Sequence, residues 1–286
     1  MKLINKDINI LIVGLGLIGG SYAKALTKHG FTVNAITRSQ KTVDYALKEH
    51  LVDYATNKIE PELIAKSKLI VFSLYPNVFI NWIKENQQYF TPGTIITDVT
   101  GVKVDVVYPI QEILRDDVEF IAAHPMAGRE VYGVENSDER IFNGANYIVT
   151  PTEKNTEEAI TLCEDLGKIL GFASVSRLSP EKHDDMIGFL SQLTHCIAVS
   201  LMTCNDSDDM QKYTGDSFRD LTRIARINDA MWSELFLMNK QALLNNMEIF
   251  EKEFNRLKDA LLNDDTETMR EMMRLSSARR ALFDKK

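Results

Sequence analysis

The segment Gly14-Leu15-Gly16-Leu17-Ile18-Gly19 constrains this chain more than any other, because it follows an apolar, β-branched run at residues 8–13 and opens a helical-period stretch through Ala23, Ala25 and Leu26. Strand, glycine turn and helix in that order let a backbone approach a pyrophosphate. Gly14 permits the tight turn and Gly16 the close approach. Gly19 lets the helix lie on the sheet, while Leu17 and Ile18 carry the N-terminal amides that face the anion. Any fold that honours this segment is a dinucleotide-binding α/β fold.

The rest of the first half agrees. Short β-branched runs at 8–13, 32–36, 69–73, 94–98, 119–123 and 146–149 alternate with amphipathic segments, as in consecutive βαβ units of a parallel sheet. A helix over 156–170 ends at Gly171, and 173–175 adds a short strand. After Ser179-Pro180, an N-cap and first-turn proline, only helical periodicity remains. The expected architecture is an N-terminal Rossmann doubly wound parallel sheet over 1–175, followed by an all-helical domain over 176–286. Residues 230–261 are apolar on more than one face, as in a helix buried in its bundle or packed on a second subunit, and a homodimer is expected.

Charge excludes one class of partner. With 33 basic against 41 acidic residues and a formal net charge of -8, the chain lacks the basic surface that nucleic-acid binding requires, so an anionic small molecule must be held by a few local cations. No uncharged apolar run of about 18 residues is apparent and the N-terminus does not read as a signal peptide, so a cytoplasmic protein without membrane contact is expected. Cys163, Cys196 and Cys204 form no CxxC pair and signal neither a disulfide framework nor a metal.

About 20 residues beyond the glycine turn, where a carboxylate commonly binds the ribose 2′-hydroxyl, stand Thr37, Arg38 and Ser39. A cation and hydroxyls there suit a 2′-phosphate, which favours NADP over NAD. Ser73, at the end of its strand, is expected to line the cofactor site. Ligands in such sheets sit beyond the strand ends, which directs attention to Asp98-Val99-Thr100 and to His124-Pro125-Met126-Ala127-Gly128. His124 is the candidate general base, because an imidazole can accept an alcohol proton as hydride leaves the same carbon.

Taken together, the glycine fingerprint, His124-Pro125-Met126-Ala127-Gly128, Ser191-Gln192-Leu193-Thr194-His195 and Phe218-Arg219-Asp220-Leu221-Thr222-Arg223-Ile224-Ala225, with Met231-Trp232, resemble the prephenate and arogenate dehydrogenases of tyrosine biosynthesis over nearly the whole chain. The resemblance implies oxidative decarboxylation of prephenate to 4-hydroxyphenylpyruvate, or of arogenate to tyrosine. His124 would take the ring hydroxyl proton, Arg223 bind a substrate carboxylate and His195 position the substrate. Ser191, Glu130 and Trp232 would complete the substrate site, and Lys103 would hold its loop or reach the cofactor. Two positions depart from the pattern. Thr100-Gly101 replaces a glycine-serine pair whose hydroxyl would bond His124, leaving Thr100 as the neighbouring hydroxyl, and Arg129 stands where a small hydroxyl residue is expected. The sequence stops at Lys286 without the pattern of an appended amino-acid-binding domain, so feedback by tyrosine is expected, if anywhere, at the active site. Two rival readings are a β-hydroxyacid dehydrogenase, whose GxxxNxxxK helix has no counterpart here, and an NADP-sensing protein without chemistry.

Overall fold

The computed structural model describes residues 4–283. Six strands form a parallel sheet: β1 (Asn9–Val13), β2 (Thr32–Ile36), β3 (Tyr54–Thr56), β4 (Leu69–Phe72), β5 (Thr94–Asp98) and β6 (Val118–Phe120). Their spatial order is β3-β2-β1-β4-β5-β6, the doubly wound arrangement in which the chain reverses direction between β1 and β4. Helices α1 (Leu17–Lys28), α2 (Gln40–Lys48), α3 (Pro61–Lys66), α4 (Pro76–Asn86) and α5 (Val104–Ile113) connect them. Side chains alternate across β1, so Ile10 and Ile12 enter one apolar core with Tyr22 and Leu26 of α1. Leu11 and Val13 enter the other, with Ile64 of α3, Phe79 and Ile83 of α4 and Ile110 of α5.

Beyond β6 the parallel series expected up to residue 149 ends. The run 119–123 is not one strand: the chain leaves the sheet at Ile121, and β7 (Ala122–Met126) begins a second sheet with β8 (Asn146–Thr150) and β9 (Ser174–Arg177). β7 pairs antiparallel with β8, with His124 opposite Ile148, and β8 runs parallel to β9. Phe120 to Ala123 are all buried, so their hydrophobicity carries no mark of the sheet switch. The edge strand β3 was also not anticipated, being three residues long. Helix α6 (Glu157–Ile169) is capped by the Thr156 hydroxyl, which accepts from the Ala159 amide, and ends before Gly171 at φ +91°.

Four helices follow: α7 (Pro180–Ile187), α8 (Thr194–Thr203), α9 (Asp216–Thr222) and α10 (Asp229–Met238). Ser179 accepts from the Lys182 amide and Pro180 occupies the first turn of α7, as the sequence predicts. Between α7 and α8 residues Gly188–Leu193 form a π-helix, one residue wider per turn than its neighbours. The continuous helical run Pro180–Thr203 holds an 18-residue window apolar enough to cross a membrane by length and composition, contrary to expectation. Residues 186–203 carry no Asp, Glu, Lys or Arg, and polar residues such as Ser191, Gln192 and His195 interrupt their apolar character. This run carries the buried polar side chains His183, Asp184 and Gln192, which serve the site described below.

The chain divides into two units, 1–239 and 240–286. Helices α7 to α10 belong to the first unit with both sheets, so the division falls later than the change from strand to helix near 176. The expected stretch 230–261 is broken at Asn239, whose side chain donates to the Asp184 carbonyl and to Gln192 Oε1 instead of continuing α10. In the second unit α11 (Lys240–Leu262) turns through Asp264 at φ +52° into α12 (Thr266–Arg280), whose first turn is capped by Asp265. The chain alone leaves Ile249, Phe254, Leu261 and Leu262 of this hairpin exposed.

Candidate active site

The glycine turn is fixed by its contacts. Gly14 has φ +98°, and a Cβ there would lie 2.4 Å from the Ser73 carbonyl oxygen. A Cβ on Gly19 would lie 2.0 Å from the carbonyl oxygen of Gly14, so helix and turn approach as only glycine allows. Gly16 is different: nothing stands within 4 Å of where its Cβ would be. That open space, at the N-terminus of the 12-residue α1, fits a pyrophosphate approaching backbone amides. The Gly14 amide donates to the Ile36 carbonyl at 2.8 Å, which places Thr37, Arg38 and Ser39 beside the turn. They lie outside the main cleft, with Arg38 and Ser39 exposed.

Next to Gly16, Leu17 and Ile18 opens a cleft of about 540 Å³. Its walls come from the end of β4, from β7 and the loop after it, and from the helices beyond 180. Ser73 reaches it because its amide continues the β4 ladder to the Val13 carbonyl at 2.8 Å. Tyr75 follows, its hydroxyl accepting from Asn228 at 3.0 Å, while the Asn77 amide donates to Glu234 at 2.8 Å; together they tie the loop after β4 to α10.

His124 lies within β7, rather than just past the end of a strand of the main sheet, and lines the cleft. Its Nδ1 is 2.8 Å from Nε2 of His183, and Nδ1 of His183 is 2.7 Å from Asp184 Oδ1. Asp184 in turn accepts the amides of Lys103 and Val104, each at 2.8 Å, at the start of α5. With Nδ1 engaged, Nε2 is the ring nitrogen of His124 left for a substrate. Burial, helped by His183 and the Lys103 ammonium, holds the His124 pKa well below the usual imidazole range. Burial likewise pushes His183 down to about 3 and raises the Asp184 carboxyl to about 6.

Thr100 lines the cleft, but its hydroxyl is committed to Asp98 Oδ2 and to the Val102 carbonyl at 3.0 Å. The hydroxyl partner sought for His124 is therefore not Thr100; a second imidazole takes that place. Of the two roles expected of Lys103, its contacts fit holding the loop and not reaching the cofactor. It is fully buried and does not reach the cleft, because its ammonium is bound by Asp98 Oδ2 at 2.7 Å and by the Ala123 carbonyl at 2.7 Å. Asp98 Oδ1 accepts the Ala123 amide at 3.0 Å.

Ser191 and His195 both line the cleft, brought together across the junction of the π-helix and α8, where His195 Nδ1 donates to the Ser191 carbonyl at 2.8 Å. Trp232 lies against His195 with ring centroids 3.7 Å apart and 30° between planes, and burial lowers the His195 pKa. Glu130 lines the cleft as well. Arg223 does not: it is exposed, and its Nη1 donates to Glu130 Oε1 at 2.6 Å. The cations that line the cleft are Arg129 and Arg226.

Sequence reasoning missed His183, Asp184 and Arg226, and gave Asp98 no role of its own. The first two sit in Glu181-Lys182-His183-Asp184-Asp185, which reads as a solvated helix start; only the flanking apolar Pro180 and Ile187, at positions that bury the same side, mark the face that turns inward.

Comparison with known proteins matches both halves of the chain. The family model described as prephenate dehydrogenase, nucleotide-binding domain, matches residues 22–174, and that described as prephenate dehydrogenase, dimerization domain, matches 179–275. A prephenate dehydrogenase of Bacillus subtilis is 29% identical over 267 residues, covering 91% of this chain and 72% of that protein. A cyclohexadienyl dehydrogenase of Zymomonas mobilis is 27% identical over 280 residues, covering 95% and 94%. Among solved structures, prephenate dehydrogenase from A. aeolicus in complex with hydroxyphenyl propionate and NAD+ superposes with TM-score 0.89 at 30% identity, covering 97% of this chain and 98% of that one. A Rossmann sheet with the glycine turn, a cleft histidine on β7 and these matches over both halves place the chain in the prephenate dehydrogenase family of oxidoreductases.

Proposed function

We propose that the protein oxidatively decarboxylates prephenate to 4-hydroxyphenylpyruvate, with NADP preferred over NAD. The observation that carries this reading is His124, held on β7 with Nε2 free, in the same cleft as the amides of Gly16 to Ile18. The nicotinamide, when bound, accepts hydride from the ring carbon that bears the hydroxyl. His124 Nε2 takes the hydroxyl proton as that hydride leaves. Loss of the ring carboxylate as carbon dioxide makes the ring aromatic, and the phenol oxygen recovers the proton. Arg129 and Arg226 supply positive charge for the substrate carboxylates, and Arg223 joins them where Glu130 releases it. Ser191, His195 and Trp232 form the wall against the side chain and ring.

Preference for NADP is supported by Thr37, Arg38 and Ser39 directly after β2, with no carboxylate among them. The exposed Ile249, Phe254, Leu261 and Leu262 support a homodimer formed through the helical half. Arogenate, which differs from prephenate in carrying an amine on its side chain, is the second reading, favoured by Glu130 in the cleft as a partner for that amine. Absorbance of the reduced nicotinamide, followed with prephenate and arogenate, each with NAD and NADP, tests both choices. Signal growth with prephenate and NADP fastest is the expected result; silence in all four mixtures would overturn the reading.

A further inference from the structure

A proton acceptor works only if the nitrogen facing the substrate carries a lone pair, and a neutral imidazole has two tautomers of which one presents N–H instead. Solvent does not settle the choice here, since His183 is fully buried and Asp184 nearly so. The hydrogen-bond partners settle it. An ionised carboxylate only accepts. Asp184 already receives two backbone amides at the N-terminus of the 10-residue α5, where an anion is favoured, and the Lys103 ammonium stands near it. The contact of 2.7 Å between Asp184 Oδ1 and His183 Nδ1 therefore puts a hydrogen on that nitrogen. His183 is neutral, so its Nε2 is an acceptor, and the 2.8 Å contact then requires hydrogen on His124 Nδ1. Nε2 of His124 is left bare.

We propose that His183 and Asp184 are positioning residues: a buried chain from Asp184 through His183 to His124 fixes the tautomer of His124 that can act as a base. The proposal rests on the reading of His124 as the proton acceptor. The chain also orients the ring, because His124 Nδ1 bonds sideways to α7 while its strand is held from below by Asp98 and Lys103. As His124 accepts the substrate proton, its imidazolium keeps the bond to His183 Nε2, with the Asp184 carboxylate one ring further on. The charged groups around Asp184 are Lys103 and Asp105 at the start of α5, Glu181 on its own helix and Asp98 at the end of β5. Protonation of Asp184 would let it donate to His183, reverse both hydrogen bonds and place N–H on His124 Nε2. Turnover is therefore expected to fall as pH drops through the range where Asp184 titrates.

Three variants and one spectrum test this. In protein labelled with nitrogen-15 at histidine, with the His124 signals assigned by their loss in His124→Asn, wild type is expected to show a protonated Nδ1 and a bare Nε2 at pH 7.5. His183→Leu removes both hydrogen bonds and is expected to lower kcat on the order of 10⁴-fold, the scale seen when a catalytic imidazole loses the partner that sets its tautomer, with KM within about threefold. His183→Gln, whose amide can accept from His124 and donate to Asp184, is expected to restore at least about tenfold of that loss. Should His183→Leu not fold, the wild-type spectrum and His183→Gln decide the matter. A protonated Nε2 on His124 in wild type, or wild-type kcat in His183→Leu, overturns the proposal. If wild type oxidises neither substrate, the functional reading fails instead, and the spectrum still decides the tautomer.

Discussion

Asp98 and Lys103 are paired at 2.7 Å with both side chains withdrawn from solvent, and between them they hold both polar backbone atoms of Ala123, the residue before His124. Removing one member leaves the other charged and buried. Lys103→Met is expected to destabilise the protein by about 3–5 kcal/mol, and the double variant with Asp98→Asn by less. Urea unfolding of the three proteins checks this. A cost below about 1 kcal/mol for Lys103→Met would show that the pair is not what anchors β7.

His124→Asn keeps a polar side chain but removes the base. A fall in kcat of about 10²- to 10⁴-fold is expected, with KM changed little, because the lost interaction forms with the transferring proton. Steady-state rates at saturating cofactor measure both. Near-normal turnover would remove His124 from the chemistry.

Acid should destabilise this fold earlier than its exposed carboxylates would. His124 and His183 are held neutral in the folded state, His183 down to about 3, while both would bind protons below about 6.5 once unfolded. Their contribution is complete above that pH and is lost as pH falls. Asp184 opposes them: with its folded value raised to about 6, its effect on stability improves as pH falls from there towards its unfolded value. Two losses against one gain leave a net decline in stability as pH falls from about 6 towards 4. Urea midpoints across that range measure the slope, and His183→Gln should flatten it. An unchanged slope in that variant would contradict the account.

Gly16 and Gly19 separate binding from folding. Gly16→Ala meets no protein atom, so an unchanged melting temperature is expected together with cofactor affinity weakened about tenfold or more, since the methyl group occupies the space left for phosphate. Gly19→Ala collides with the backbone of Gly14 and should lower the melting temperature as well. Calorimetric titration and thermal unfolding distinguish the two. Full cofactor affinity in Gly16→Ala would mean that the phosphates lie elsewhere.

Arg226 lines the cleft whereas Arg223 is held by Glu130. Arg226→Ala is expected to raise KM for the substrate about tenfold or more, the loss of one charge-assisted carboxylate contact, with kcat less affected. A larger rise in Arg223→Ala than in Arg226→Ala would show that the ion pair with Glu130 opens when substrate binds.

The fold was legible where local rules decide it. Gly14 to Gly19, the strands 32–36 and 94–98, and the Ser179-Pro180 helix start follow from turn chemistry and periodicity, and the structure has them in place. The sheet switch at Ile121 was hidden because the residues around it, Phe120 to Ala123, are all apolar and buried. Of the site, His124, Ser191, His195, Glu130 and Trp232 do converge on one cleft. For Lys103 the sequence left loop support and cofactor contact both open, because only its fully buried partner, Asp98, decides between them. His183 and Asp184 were invisible for a related reason: three charged neighbours, Glu181, Lys182 and Asp185, conceal their inward face, and only the distance to His124 across 59 positions gives it meaning.

The π-helix at Gly188–Leu193 is a phase shifter between two α-helices. On its upstream side α7 aims His183 at His124, and on its downstream side α8 aims His195 at the cleft wall. Each residue of an α-helix advances the side-chain direction by about 100°, so deleting one residue from the wide turn would turn everything beyond it by roughly that angle. His195 would then point away from Trp232 while His183 stayed in place. The two halves of the site are thus clocked against each other by a single extra residue, and relatives of this chain can be compared by whether they keep that residue as well as by which side chains they keep.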